Sequence, residues 1–206
     1  MKWERGGGLF FVVALLAFWQ GCSKEPEPRR ASEGEKALKP AAAHRAGPVS
    51  ASGAGMLNFT APQEWTAEKP TSSMRKAQYR LPRAQGDPED AELAVFFFGG
   101  SGGPVQANID RWIGQFQKAD GSPADDAAKT TRRESHGIAL TLVDVSGTYN
   151  AASGPMLAEK RSKPNFRMIA AVAEAAGGPW FFKLTGPAAT IAKWEREFQK
   201  FLDTIR

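Results

Sequence analysis

Residues 180–205 read WFFKLTGPAATIAKWEREFQKFLDTI. Trp180 to Leu184 is an aromatic and apolar run of strand character, and Gly186-Pro187 ends it. Pro fixes a backbone angle suited to the first helical position, so the same dipeptide that stops the strand starts a helix. From Ala188 to Ile205 the apolar residues Ile191, Trp194, Phe198, Phe201, Leu202 and Ile205 recur at spacings of three and four, so this helix has one apolar face. A strand running directly into a one-faced helix needs a sheet for that helix to lie on.

Reading upstream supplies the sheet. Arg167 to Ala176 (RMIAAVAEAA) and the run from Pro179 are joined at Gly177-Gly178, a hairpin signal. Gly137 to Tyr149 (GIALTLVDVSGTY) sets Ile138, Leu140 and Leu142 against Ala139, Thr141, Val143 and Val145. Lys129 to His136 is polar and β-permissive, as an edge strand is. Glu92 to Gly99 (ELAVFFFG) is apolar on both faces, which is the pattern of a central strand covered on both sides. Arg75 to Pro82 alternates, with Ala77, Tyr79 and Leu81 on one face, and Leu57 to Trp65 reads as a short strand and a turn. A second one-faced helix spans Val105 to Phe116, after Gly103-Pro104, with apolar residues at 105, 109, 112, 113 and 116. Three strands, a helix, four strands and a helix predict an α+β domain: an antiparallel β-sheet with two amphipathic helices packed on one face of it.

The two ends of this region, F-x-x-P-x-x-W (Phe59, Pro62, Trp65) and the strand–Pro–helix of residues 180–205, resemble those of PsbP/Mog1-like domains and of uncharacterised bacterial lipoproteins. The resemblance implies a non-catalytic binding or assembly module and brings no catalytic residue to place on this chain.

The amino-terminal quarter differs in kind. Lys2 and Arg5 precede eleven unbroken apolar residues, Leu9 to Trp19, and the small Gly21 precedes Cys22, the only cysteine. Charged region, short apolar core and small residue are the parts of a signal peptide, and the apolar run is about half of what a membrane span needs. Gly21-Cys22 is similar to the lipobox of bacterial lipoproteins, with Trp19 where leucine is usual, and implies acylation of Cys22. Ser23 after that cysteine, by the same analogy, favours an outer-membrane anchor facing the periplasm. Ser23 to Gly55 holds eight Ala, four Pro, four Gly and four Ser and no aromatic residue, so it cannot bury enough surface to fold and reads as a tether. The expected organisation is 1–21 signal peptide, 22–55 lipidated cysteine and tether, and 56–206 the α+β domain. Of the net charge of +5, +3 falls in residues 1–55, so the domain is nearly balanced and lacks the basic footprint of a nucleic-acid binder.

Candidate chemistry is sparse. Gly99-Gly-Ser101-Gly-Gly103 matches G-x-S-x-G, the nucleophile turn of α/β-hydrolases. The bases on offer are His44, in the tether, and His136, with Asp110, Asp120, Asp125 or Asp126 as acid. An envelope serine hydrolase using Ser101 is therefore the alternative function, although consecutive strands joined by hairpins are not the sheet that carries such a turn. One cysteine, destined for lipid, and one histidine in the domain leave no Cys/His cluster for a metal, and no cofactor is expected. Asp87, Glu89, Asp90 and Glu92 read as a solvated turn. Residues 150–166 are long for a loop and carry Lys160, Arg161 and Lys163, with Arg167 just beyond. The sheet face opposite the helices would display Phe96, Phe98, Phe181 and Lys183. These four, with Lys160, Arg161 and Lys163 at the rim, are the expected recognition surface or cavity for an envelope protein or a small apolar ligand.

Overall fold

A computed structural model describes residues 57–99, 102–151 and 161–206, with Ala151 and Arg161 described by their backbone. The segments expected to be signal peptide and tether, with Cys22, Ser101 and Lys160, lie outside the described residues.

The elements are β1 (Thr66–Glu68), β2 (Arg75–Leu81), β3 (Ala91–Phe97), α1 (Val105–Ile113), β4 (Phe116–Gln117), a 3-10 turn (Asp125–Ala127), β5 (Lys129–Ser135), β6 (Ile138–Ala151), β7 (Arg161–Ala175), β8 (Gly178–Pro187) and α2 (Ala188–Asp203). The strands form one antiparallel sheet in the order β1-β2-β3-β8-β7-β6-β4, and β5 pairs the first half of β6. The α+β class read from the sequence is the observed one, with polar β5 at an edge and β3 in the interior of the sheet.

The helices lie on opposite faces, which corrects the expectation of one helical layer. Period two along β3, β6, β7 and β8 sorts their side chains. Leu93, Val95, Leu140, Ile169, Ala171, Trp180, Phe182 and Leu184 meet Ile191, Trp194, Phe198, Phe201 and Leu202 of α2 in one apolar cluster. Val143, Val145, Met168, Ala170, Val172 and Phe181 meet Ile109, Trp112 and Ile113 of α1 in a second. Strands that are apolar on both sides need a cover on each.

Three boundaries also move. Leu57 and Phe59 are buried but not in a strand: Asn58 exchanges two main-chain hydrogen bonds with Arg206, at 2.9 and 3.1 Å, and β1 begins only at Thr66. The α1 helix stops at Ile113, and Phe116 enters the sheet opposite Tyr149. Both described ends of the 150–166 segment are strand and not loop, because β6 and β7 stay paired out to Ala151 and Arg161. Arg167 thus belongs to β7, where it pairs with Asp144 at 2.6 Å and Glu195 at 2.8 Å and ties the sheet to α2. Its neighbouring carboxylates hold its pKa above the usual arginine range.

Gly147 sits where the β6–β7 register shifts, and a Cβ placed there would collide with the main-chain oxygen of Gln117. Two backbones cannot part without breaking the two-residue β4. Gly147→Ala should lower unfolding free energy by about 1–3 kcal/mol, the usual cost of forcing an atom into a packed site. A urea midpoint equal to that of the parent chain would refute the close approach.

Candidate functional site

On the α1 side of the sheet, β8 carries Phe181, Lys183 and Thr185 in turn. Phe181 is roofed by Trp112, with ring centroids 5.9 Å apart. One step along, Lys183 is flanked in register by Ala94 of β3 and Ala170 of β7. Ala170 is buried in the apolar cluster under α1, whereas Ala94, small on the β3 side, leaves a hollow beside the lysine. The result is a half-open cavity of about 350 Å3.

Its walls alternate charge and ring. Arg75 lies 5.7 Å over Phe96, Lys163 lies 5.1 Å over Phe166, and Lys183 lies 5.2 Å over Tyr149. Cations so placed gain from the negative face of the ring. The acids of the wall come from the turn into β3: Glu92 bonds Arg75 at 2.9 Å, Asp90 bonds Arg80 at 2.8 Å, and Glu89 bonds Lys163. Arg80 and the Arg83 main-chain N–H hold the Asp90 carboxyl below the usual aspartate range. A second hollow of about 430 Å3, lined by Pro88, Pro164 and Pro187, shares Glu89, Lys163 and Phe166 with the first. The Glu89–Lys163 pair therefore stands in the wall common to both.

Lys183 differs from its neighbours in having only neutral partners. Its Nζ donates to Gln115 Oε1 at 2.5 Å and to the Tyr149 hydroxyl at 3.3 Å. Burial pushes its pKa down to about 8; the Glu92 charge opposes that shift, and Arg111 and Arg75 add to it. Burial raises the Tyr149 hydroxyl above the usual tyrosine range, so it remains a proton donor.

The structure brings Phe96, Lys183 and Lys163 to one cavity. Phe98 packs beside Phe181 at 5.7 Å, and Phe181, 1% exposed, is core beneath α1 and not surface. Lys160 is outside the described residues, and of Arg161 only the backbone pairing with Ala151 is described. The acidic group is no mere solvated turn. Asp87 accepts the Thr190 N–H at 2.7 Å and so caps the first turn of α2 from across the fold, while the other three form cavity wall. Arg75, Tyr149, Phe166 and Thr185 were not anticipated. A signal existed for the site itself: a lysine inside the apolar run WFFKL, facing two strands with alanine in place of larger residues. Among the described residues no group of three or more His, Cys, Asp or Glu is placed to hold a metal ion. Ser101 is outside the described residues; His136 sits on the α2 side of the domain, its Nδ1 3.1 Å from the Ile205 carbonyl oxygen.

No family model matches this chain, and no curated protein matches it. Among solved structures it is similar to cyanobacterial PsbP from Synechocystis, at 14% identity and a TM-score of 0.46, over 82% of this chain and 96% of that one. It is also similar to a Pseudomonas aeruginosa protein of unknown function described as a candidate regulator, at 14% identity and a TM-score of 0.42, over 68% of this chain and 95% of that one. The likeness is one of fold.

The half-buried ammonium has a consequence for stability. Between about pH 8 and 10.5, the ordinary lysine value, the unfolded chain holds a proton on Lys183 that the folded chain has released. The unfolded state binds more protons there, so this group makes stability rise with pH across the window; below it the cost of burying the charge is felt in full. Lys183→Met should be more stable than the parent chain at pH 7, with the advantage shrinking by pH 10. Urea melts at the two pH values check this, and a constant difference between the two proteins would contradict it.

Proposed function

We propose that this chain is a lipid-anchored, non-enzymatic binding module of the cell envelope, held by acylated Cys22 at the outer membrane on the periplasmic side, with the Lys183 cavity as its ligand site. The observation that carries the reading is a cavity in which a half-buried ammonium group finds only neutral partners. Leaving a charge so placed costs stability, and such cost is characteristic of sites kept for binding. A cavity of about 350 Å3 is at the small end of ligand sites, which favours a small molecule over a protein surface. Charged groups interleaved with rings fit a ligand that is partly polar, a narrower class than an apolar one. Among the described residues no helix is long and apolar enough to cross a membrane. In this reading attachment rests on the acylated cysteine.

Two experiments test the two halves. Cys22→Ser should move the protein out of the membrane fraction and abolish incorporation of labelled fatty acid; membrane fractionation that does not change would refute the anchor. For the cavity, native mass spectrometry of protein released gently from membranes should show a small-molecule adduct on the parent chain. Ala94→Leu, whose side chain enters the hollow, should lose it while melting as cooperatively as the parent. An adduct retained by Ala94→Leu would place the site elsewhere.

A further inference from the structure

Each carboxylate of the cavity wall has a cation against it, and Lys183 is the wall's cation with no carboxylate bonded to it. Glu92 is held by Arg75, Glu89 by Lys163 and Asp90 by Arg80, which also holds Glu68. Lys183 has Gln115 and Tyr149, which take two of its three N–H groups and none of its charge. The Glu92 carboxylate is the acid whose field reaches it, set against Arg75 and against Arg111 of α1.

The hydrogen-bond inventory points the same way. The Tyr149 hydroxyl accepts from Lys183, so its own proton is free for another acceptor, and among the described residues none is bonded to it. Thr185 lines the cavity two residues beyond Lys183 on the same strand face, and its Oγ1 is buried with no partner among the described residues. One ammonium N–H and two hydroxyls are therefore unspent donors around one hollow. Of the three, the Thr185 hydroxyl is buried, and a buried polar group left without a partner is rare.

The geometry points to a small organic monocarboxylate as the ligand, its carboxylate received by Lys183, Tyr149 and Thr185 and its body lying along Ala94 and the Phe96 ring. This rests on the binding-module reading and narrows it. One unmatched positive charge fits one negative charge. A phosphate dianion would place a second negative charge among Glu89, Asp90 and Glu92 and meet repulsion there. A carboxylate has the lone pairs to satisfy three donors at once, and charge-assisted bonds of this kind are the strong ones.

The test is calorimetric titration of the full chain in detergent with hexanoate, and with hexanol, hexylamine and inorganic phosphate as comparisons. Hexanoate should bind at least tenfold more tightly than any of the other three. At pH 8.5 binding should take up a proton, seen as a heat that depends on the buffer's ionisation enthalpy, because a bound carboxylate favours the protonated amine. Lys183→Gln should weaken hexanoate binding at least tenfold and remove the proton uptake. Should that variant fail to fold, Tyr149→Phe and Thr185→Val each remove one donor, keep the charge, and should weaken binding severalfold with proton uptake retained. Equal binding of hexanol or phosphate, or unchanged affinity in the donor variants, overturns the assignment. The two readings fail differently. A native adduct that Ala94→Leu removes but that carries no acid group leaves the binding module standing and ends the carboxylate, whereas no adduct and no hexanoate binding ends both.

Discussion

The ladder between β3 and β8 is the constraint on which the rest of this structure depends. Its six registered pairs run from Glu92 opposite Thr185 to Phe97 opposite Trp180, and alternation sends every second pair to the same side. Leu93 with Leu184, Val95 with Phe182 and Phe97 with Trp180 face α2. Glu92 with Thr185, Ala94 with Lys183 and Phe96 with Phe181 face α1. The two sides then receive unequal cover. The sixteen residues of α2 give about 24 Å of helix and the nine of α1 about 14 Å. The longer helix seals its face with six buried residues, and the shorter reaches Phe181 and ends at Ile113, two residues before the Gln115 that accepts from Lys183. Where α1 stops, the cavity begins.

Much of this architecture was legible because its signals are local. Gly177-Gly178 marks the β7–β8 hairpin, Gly186-Pro187 turns β8 into α2, and the spacing of Ile191, Trp194, Phe198, Phe201 and Leu202 is the face that α2 buries. The apolar run around Leu93 to Phe97 announced a strand covered on both sides. What it did not announce was that each cover is a helix. A one-faced helix carries no mark of which side of a sheet it will take; that is decided by how the chain crosses between edges. The end of α1 was hidden for a related reason: Phe116 keeps the helical spacing yet is captured by Tyr149 of β6 as a strand partner.

The candidate site was legible only in part, since a cavity is made by register. Phe96 stood out as a residue out of keeping with a half-open sheet, and Lys183 was read onto the same face, but the hollow beside them depends on Ala94 falling opposite Lys183. Nothing in the order of residues along the chain pairs position 94 with 183 and 170. The acidic turn was read as solvent-facing because its charges are dense and local. In three dimensions Arg75, Arg80 and Lys163 close on it from β2 and β7, and the Thr190 N–H takes the remaining carboxylate. Charge neutrality at that wall is reached between segments far apart in sequence, which composition does not show.

The sorting of these charges also separates what holds the domain together from what it holds for use. Arg167 with Asp144 and Glu195 joins β7, β6 and α2, and each of its carboxylates is partly exposed, so the group is a tie across the fold with little desolvation to overcome. Lys183 joins nothing of the kind. Its two neutral partners would be satisfied by water, its charge opposes burial, and a methionine of similar length would sit between Ala94 and Ala170 at lower cost. A side chain whose burial pushes its pKa down, set in a cavity beside a buried threonine hydroxyl without a partner, is not explained by the packing around it, and the proposed ligand would account for it.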